Sequence, residues 1–538
     1  MSPRRLARSA GLIGTATLAS RLLGLVREVV QGAYFATSNA ADAFGVATRI
    51  PSLLRDLFAE GAMSAAFVPT LSRIHQTEGR EAAWRLGSQV INALIVVTGA
   101  FVIVGTVFVR PLVETYAPGF EEQLGKTSLT IALTRINMPF LMLVAVAAAC
   151  MGMLNSLRRF MIPASSPALF NVVFILCTVI LVPVFTRTGI EPVMALSVAM
   201  LLGGVIQIAV QWPALRREGY RHQWILNPSD PALRSVLVLM GPGTLGVAAA
   251  QINLLINTSL ATSEPGAVSA LGYAFRLMYM PIGIFGVSVA TAAIPDLARQ
   301  AATHAYGEMR EMLSFGVRLM LMLSVPASVG LMVLAVPIVE LIFQHGAFGP
   351  SDTQKVATAL LFYAPAIAGY SIVKIAGPSF YALQDSRTPV IVSLVTIGSN
   401  LLLNLWLNSI LGFRGLALGT AIAASINAGL LLILLGRRIG GVDGSRIVSS
   451  LAKIVAASAL MGVAGHFSNE WLRDVLPGDA LLTRLVRVGA AIGASLATLA
   501  LAAWAMRIQE FRAAVARVFS QASSRKPQAP GPSLGPKP

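Results

Sequence analysis

Residues 87–109 read GSQVINALIVVTGAFVIVGTVFV, a stretch without a single charged side chain. As a helix it reaches about 34 Å, enough to cross a hydrocarbon core about 30 Å thick. A membrane β-strand would instead alternate apolar and polar residues over about ten positions. The run is continuous, so a helix is the reading. Working outward, similar runs fall near 9–35, 41–71, 129–155, 165–186, 191–214, 233–261, 267–297, 312–335, 356–383, 388–410, 415–436, 448–467 and 482–506. With 87–109 they predict an all-α polytopic membrane protein of about fourteen spans. Composition agrees: 55% of the residues are hydrophobic and 12% charged, about half the charged share of a soluble domain.

The net charge of +17 is distributed unevenly along this plan. One side collects Arg4, Arg5 and Arg8, then Arg73, Arg80 and Arg85, then Arg158, Arg159, Arg216, Arg217, Arg437 and Arg438. The opposite loops carry Arg110, Lys126, Arg187, Lys355, Arg414, Arg473 and Arg484. The positive-inside rule then puts both termini in the cytoplasm. The charge excess is a topology signal, and no nucleic-acid partner is expected. Cys150 and Cys177 fall within spans and form no CxxC motif. The start of the chain is read as a retained first span, because Arg21 and Arg27 interrupt it.

The chain repeats itself. Pro69-Thr70-Leu71-Ser72-Arg73 is echoed by Pro295-Asp296-Leu297-Ala298-Arg299, and Arg49 and Arg276 stand at matching distances before the two prolines. Arg158 and Asn171 have a weaker echo in Arg387 and Asn400. Six spans fit each repeat, and an even number keeps both halves in the same orientation, as in transporters with an axis along the membrane normal. The expected organisation is an N-lobe over 1–225 (spans 1–6), a C-lobe over 226–440 (spans 7–12), spans 13 and 14 over 441–510, and a disordered cytoplasmic tail over 511–538.

Charges inside the spans are the candidate chemistry. Span one holds Ser20, Arg21, Arg27 and Glu28; span two holds Asp42, Arg49, Arg55, Asp56 and Glu60; span eight holds Arg276. An ionised side chain at mid-helix costs about 2.5–3.5 kcal/mol on insertion scales, so these groups must line a wet cavity or pair with one another. Asp42, Arg49, Asp56 and Glu60 share one stripe of an ideal helix. Five arginines against four carboxylates leave a cationic surplus, and guanidinium forks match phosphate oxygens. Internal salt bridges holding the lobes together remain the alternative for any single residue.

Other patterns carry less. Gly119 to Gly125-Lys126-Thr127 is one residue too long for a phosphate loop and has no strand before it, so ATP hydrolysis is not expected. His75, His222, His304, His345 and His466 are scattered, and no metal site or catalytic set is expected. Lys374 and Arg135 read equally as cavity residues or as snorkelling ones. Asn400 and Asn404, one turn apart in span eleven, form with Thr420 a candidate cation site, although interhelical hydrogen bonding is the commoner use of such residues.

Together these residues carry a resemblance. Ser20-Arg21-x-x-Gly24-x-x-Arg27-Glu28, Asp42-Ala43-Phe44 and the segment from Ile50-Pro51 through Arg55-Asp56 and Glu60-Gly61 to Pro69 resemble the MurJ/MviN lipid II flippases. So do Arg276-Leu277-Met278, Phe343-Gln344-His345-Gly346 and Gln384-Asp385-Ser386-Arg387-Thr388-Pro389. The likeness covers nearly the whole chain. It implies the multidrug/oligosaccharidyl-lipid/polysaccharide exporter fold, with spans one, two, seven and eight around a cationic cavity and a lipid-tail groove at spans thirteen and fourteen. It implies that lipid II, an undecaprenyl-diphosphate-linked precursor, is carried from the inner to the outer leaflet of the bacterial inner membrane by a transporter and not an enzyme. Arg21, Arg27, Arg55 and Arg276 would bind the diphosphate, with Ser20, Glu28, Asp42, Arg49 and Glu60 in support. Phe275 and Tyr279 depart from acidic residues that some members carry around the span-eight arginine. The family's sodium site includes carboxylates where this chain offers Asn400 and Asn404. Na+ or the membrane potential would supply the energy, and membrane lipids and cell-wall synthesis enzymes are expected partners. An O-antigen lipid flippase or drug/cation antiporter of the same fold, or a non-transporting scaffold for cell-wall enzymes, stays open as an alternative.

Overall fold

The computed structural model describes residues 3–55 and 61–512, and among them there is no β-strand. The expected tail over 511–538 falls almost wholly outside the described residues. Nine helices come first: α1 (Pro3–Phe35), α2 (Asn39–Arg55), α3 (Gly61–Thr77), α4 (Arg80–Val107), α5 (Val109–Tyr116), α6 (Lys126–Asn137), α7 (Phe140–Ser156), α8 (Met161–Thr188) and α9 (Met194–Arg217). Nine more repeat the same rhythm: α10 (Pro231–Ala261), α11 (Ala267–Pro281), α12 (Val287–Ala302), α13 (Tyr306–Val333), α14 (Ala335–Phe343), α15 (Pro350–Tyr363), α16 (Ala366–Ala382), α17 (Arg387–Leu411) and α18 (Phe413–Ile439). Two helices outside the repeat, α19 (Gly444–Val475) and α20 (Leu481–Ala505), follow.

The backbone marks the repeat as clearly as the helix lengths do. Left-handed residues stand at matching turns: Gly79 and His304 before α4 and α13, Gly125 and Gly346 before α6 and α15, Arg158 and Gln384 before α8 and α17. Gly189 and Gly412, then Gly219 and Gly440, complete the series. Pro69 and Pro295 lie inside α3 and α12, as the echo requires. The Arg158 echo is shifted. Arg158 matches Gln384 at the turn, whereas Arg387 begins α17.

Ten helices are long and apolar enough to cross a membrane among the described residues, and the pair α15 and α16, bent by 46°, makes up to eleven. Of the fourteen expected spans, 9–35, 41–71 and 233–261 are not in that set. They fall on α1, on α2 and α3 with 56–60 between them outside the description, and on α10. Burial separates the spans by role. The Lys126–Ser156 window is 72% buried, whereas that of α8 is 28% buried and offers lipid a large face. The reason is α7, whose Ala145, Ala147, Ala148, Ala149, Cys150 and Gly152 let neighbouring backbones approach closely.

Two compact units interleave along the chain. One comprises Met1–Leu277, Val339–Phe362 and Ser393–Ala423; the other comprises Met278–Ile338, Tyr363–Val392 and Ala424–Pro538. In the first, Phe67, Leu71, Trp84, Met153 and Leu215 centre one apolar cluster, and Phe44, Phe140, Phe174 and Leu196 another. The segment between α9 and α10 lies along α4. Asn92 Nδ2 donates to the carbonyls of Gln223 and Ile225, and Gln89 Nε2 donates to Asp230, whose other oxygen caps Ala232 at the start of α10. Burial beside Trp84 and Trp212 pushes the Tyr220 hydroxyl up to about 12, and burial lowers His222 below the usual imidazole value.

In the second unit, Leu313, Met320, Ile375, Phe380, Leu435 and Ile454 form the core. The buried Glu510 carboxylate accepts from Arg318 Nε at 3.2 Å and from Ser450 Oγ at 3.1 Å, tying the end of the described chain to α13 and α19. Between α11 and α12 the chain widens into a π turn over Ile282–Gly286, directly after Pro281, which cannot donate the helical hydrogen bond.

Candidate functional site

The charged residues of α1 meet α11 inside the first unit. Glu28, 7% exposed, accepts through Oε1 from Arg27 Nη2 and from Arg276 Nη2, each at 2.8 Å. Arg49 of α2 stands near enough for its charge to act on the same carboxylate. Two guanidinium groups thus meet on one carboxylate oxygen. Arg27 is largely enclosed, with its guanidinium over the rings of Phe174 and Phe170 at 5.3 and 5.8 Å. Arg276 is half exposed, with 51% of its side chain open. Its edge is available to an incoming anion.

The other expected site residues divide. Arg21 is exposed on α1, about two helical turns before Glu28. The Ser20 carbonyl accepts from Asn171 Nδ2 of α8 at 3.2 Å, which ties α1 to α8. Arg55 is the last residue of α2, and its side chain lies outside the description, as do Asp56 and Glu60.

Asp42 is placed differently from the open cavity wall that the stripe suggested. It is fully buried and accepts from Lys126 Nζ at 2.9 Å, Gly266 N at 2.7 Å, Ser269 N at 2.9 Å and Ser269 Oγ at 2.7 Å. A carboxylate of α2 therefore caps the N-terminus of α11, where unsatisfied N–H groups and the helix dipole favour negative charge. Gly266 is required there. Its φ is +78°, and a Cβ would stand 2.6 Å from the Thr37 carbonyl oxygen. Lys126, expected in an outer loop, is instead buried between Asp42, Gln123 Oε1 and the Phe120 ring. Asp352 makes a related tie, accepting from the Thr37 N–H at 3.2 Å and from the Thr37 hydroxyl.

The candidate cation residues Asn400 and Asn404 join an amide cluster. Asn400 Oδ1 accepts from Asn253 Nδ2 at 2.9 Å, Asn404 Nδ2 at 3.0 Å and Asn257 Nδ2 at 3.3 Å. Asn404 Nδ2 also donates to Asn257, and Thr420 donates to the Leu416 carbonyl of its own helix. No carboxylate takes part in these bonds. Asn404 Oδ1 is buried without a hydrogen-bond partner among the described residues, yet a sodium ion there would gain no anionic ligand and would lie beside the N–H donors that converge on Asn400, so these residues fit one poorly. No group of three or more His, Cys, Asp or Glu suited to a metal occurs among the described residues.

Comparison with known proteins decides the family. The family described as "Lipid II flippase MurJ" matches residues 32–485 of this chain. The chain belongs to the MurJ family. A Rhizobium meliloti (strain 1021) relative named "Probable lipid II flippase MurJ" is 34% identical over 488 residues, covering 90% of this chain and 91% of its own. A Vibrio cholerae relative of the same name is 32% identical over 505 residues, covering 91% and 95%. The solved structure "Lipid II flippase MurJ, inward closed conformation" superposes with a TM-score of 0.75 at 25% identity, covering 92% of this chain and 99% of that one. An inward-facing multidrug resistance MATE family transporter of the MOP superfamily superposes at 0.65 with 15% identity, a likeness of fold alone.

Within this MurJ-family chain, sequence reasoning missed Lys126, Phe170, Phe174, Asn253 and Asn257. Phe170 and Phe174 did offer a signal, since residues four apart share a helix face. Lys126 offered none, because its partner lies 84 residues away.

Proposed function

We propose that this chain flips lipid II, carrying its diphosphate-linked headgroup from the inner to the outer leaflet for cell-wall synthesis. The observation that carries the reading is the meeting of Arg27 and Arg276 on a single Glu28 carboxylate oxygen, with the Arg276 side chain half exposed. A diphosphate brings at least two negative charges and oxygens spaced for bidentate guanidinium contacts. It can engage the exposed edge of Arg276. Arg21, exposed about two turns before Glu28 on α1, extends the same surface, and Arg55 would add a further guanidinium to the diphosphate. The name shared by the relatives of the chain supports lipid II as the lipid.

The cycle is alternating access. The headgroup enters from the cytoplasm, the arginines replace its hydration, and the lipid tail stays in the bilayer along a groove of α19 and α20. Opening to the far side then requires the Asp42 and Asp352 ties to break. The bias of basic residues to one set of loops supports cytoplasmic termini, and the same reading takes fourteen spans in the bacterial inner membrane with lobes over 1–225 and 226–440. Membrane potential can reset the unloaded cationic cavity, at about 2.3 kcal/mol per charge per 100 mV across the full field. The lack of a carboxylate in the bonds of the asparagine cluster favours this source over Na+ binding at Asn400, Asn404 and Thr420. Cell-wall enzymes would act on the product.

The test is depletion of the protein with complementation by Arg27→Ala and Arg276→Ala, followed by lipid II in each leaflet. Lipid II should accumulate in the inner leaflet with either variant present at normal level. Normal outer-leaflet lipid II with both variants would overturn the reading.

A further inference from the structure

The segment over 220–227, which joins the two repeats, is a strap with its polar backbone turned to α4 and its apolar side chains turned away. Gln223 N donates to Ser88 Oγ at 3.2 Å, and Asn92 Nδ2 donates to the Gln223 and Ile225 carbonyls at 2.8 and 2.9 Å. The Gln223 carbonyl also accepts from Ile225 N. The centre of the strap is thereby satisfied from within the protein. Outward, Trp224 is 80% exposed, and Ile225 and Leu226 beside it are exposed as well. The Trp224 ring is braced edge-on by His222, with centroids 4.7 Å apart, and His222 in turn lies against Trp212 of α9.

A loop in water needs neither feature, since solvent would serve its backbone and three successive apolar side chains would be a burden there. Depth supplies the reason. α4 has 28 residues, and Arg110 follows its far end. Counting back from Val107 across a hydrocarbon core of about 30 Å takes about twenty residues and reaches Gly87. Ser88 and Asn92, which hold the strap, therefore lie where acyl chains give way to headgroups. The side chains of Val96, Val97 and Ile103, further along α4, are exposed as lipid-facing residues should be. At the boundary, irregular backbone persists where the protein satisfies it, and tryptophan is enriched. Charge fits the same layer. Arg216, Arg217 and Arg221 are exposed where α9 runs into the strap, and the acid among them, Glu218, already accepts from Arg159 Nε at 2.8 Å.

We propose that this strap is an interfacial anchor, with Trp224, Ile225 and Leu226 inserted at the edge of the acyl chains and Arg216, Arg217 and Arg221 against phospholipid phosphates. It holds the link between the repeats at a fixed depth beside α4, whatever lipid the protein carries. The experiment uses the full-length protein in nanodiscs of phosphatidylethanolamine and phosphatidylglycerol, with Cys150→Ala and Cys177→Ala as background. A polarity-sensitive fluorophore is attached at Trp224→Cys or, should that variant fail to fold, at Leu226→Cys. Glu78→Cys, in the exposed turn before α4, is the reference for water, and Ile103→Cys is the reference for the bilayer interior. The strap label should emit to the blue of the label at 78. A lipid nitroxide near the headgroup should quench it more than a mid-chain nitroxide, and a water-soluble nitroxide should quench it least. The label at 103 should instead answer most to the mid-chain nitroxide. Strap quenching by the water-soluble nitroxide equal to that at 78 would overturn the anchor. Protection from both lipid and water nitroxides would overturn it too, by placing another protein surface over the strap. Adding Arg216→Gln, Arg217→Gln and Arg221→Gln should shift the strap emission towards the red, and an unchanged spectrum would overturn the phosphate contacts.

Discussion

Arg276 of α11 donates to Glu28 of α1 at 2.8 Å, yet the two side chains live in different surroundings, 51% and 9% exposed. The bond is a bridge between an enclosed acid and an accessible base. Its two ends should respond differently to mutation. Arg276→Ala should lower stability by less than about 1 kcal/mol, because its charge is largely solvated. Glu28→Ala should cost about 3 kcal/mol, since it removes a buried acid that both Arg27 and Arg276 contact. Thermal unfolding in detergent, together with lipid II translocation, separates the effects: Arg276→Ala should lose transport at nearly normal stability.

The buried Lys126 and Asp42 pair makes a sharper stability test. Lys126→Met should cost about 3–5 kcal/mol by stranding a carboxylate with no exposure to water. Asp42→Asn should be at least as damaging, because Gly266 and Ser269 depend on the same oxygens. Combining the two should recover part of the loss. A fully additive double variant, read by melting temperature, would show that the pair is not coupled.

Asparagine chemistry at α10 and α17 predicts indifference to sodium. The melting temperature should be the same in sodium chloride and choline chloride. Asn404→Asp should be destabilised by about 1–3 kcal/mol for the buried polar mismatch, and sodium should restore part of it. A sodium-dependent rise in the natural chain would refute this account.

At the cytoplasmic end expected for α17, Asp385 accepts from the Arg387 and Thr388 N–H groups and from the Thr388 hydroxyl. The Thr388 hydrogen bonds hold its carboxyl below the usual carboxylate value. A lowered folded value means the contribution is complete above the unfolded value of about 3.9 and fades as pH falls through the folded one. Melting temperature followed from pH 6 downward, taken over roughly the range in which carboxylates titrate, should therefore decline less in Asp385→Asn than in the natural chain. Parallel curves would exclude the cap as a source of acid sensitivity.

A methyl group at Gly266 should be costly for two reasons that add, a left-handed φ and the nearby Thr37 oxygen. Gly266→Ala should destabilise by about 1–3 kcal/mol. Gly307→Ala, where a Cβ meets nothing within 4 Å, is the control and should change little.

Much of the fold was legible because hydrophobic runs report directly on spans, and because Pro69 and Pro295 mark equivalent helices. The cationic cluster was legible in part. Arg27, Glu28 and Arg276 stand out by the cost of placing charge in lipid, and the structure brings them together. Asp42 misled, because helical spacing puts it in line with Arg49 but cannot say that a helix N-terminus from the second repeat will close over it. Lys126 misled for a related reason: a lysine after a glycine at a span end looks solvated until a distant carboxylate is brought to it. Side-chain partners far apart in sequence leave no periodic trace.

The Asp42 cap also bears on how a chain with two similar halves can hold together. Asp42 bonds to Ser269, 227 residues further on, the same offset that relates Arg49 to Arg276. A residue touching its own counterpart must sit on the local axis between the halves. Perfect duplication would place Asp against Asp there, and the two charges would repel. One copy has to surrender its carboxylate and become a donor. The chain is thus asymmetric at the point where symmetry would be self-defeating, and no pair of identical repeats could make this contact.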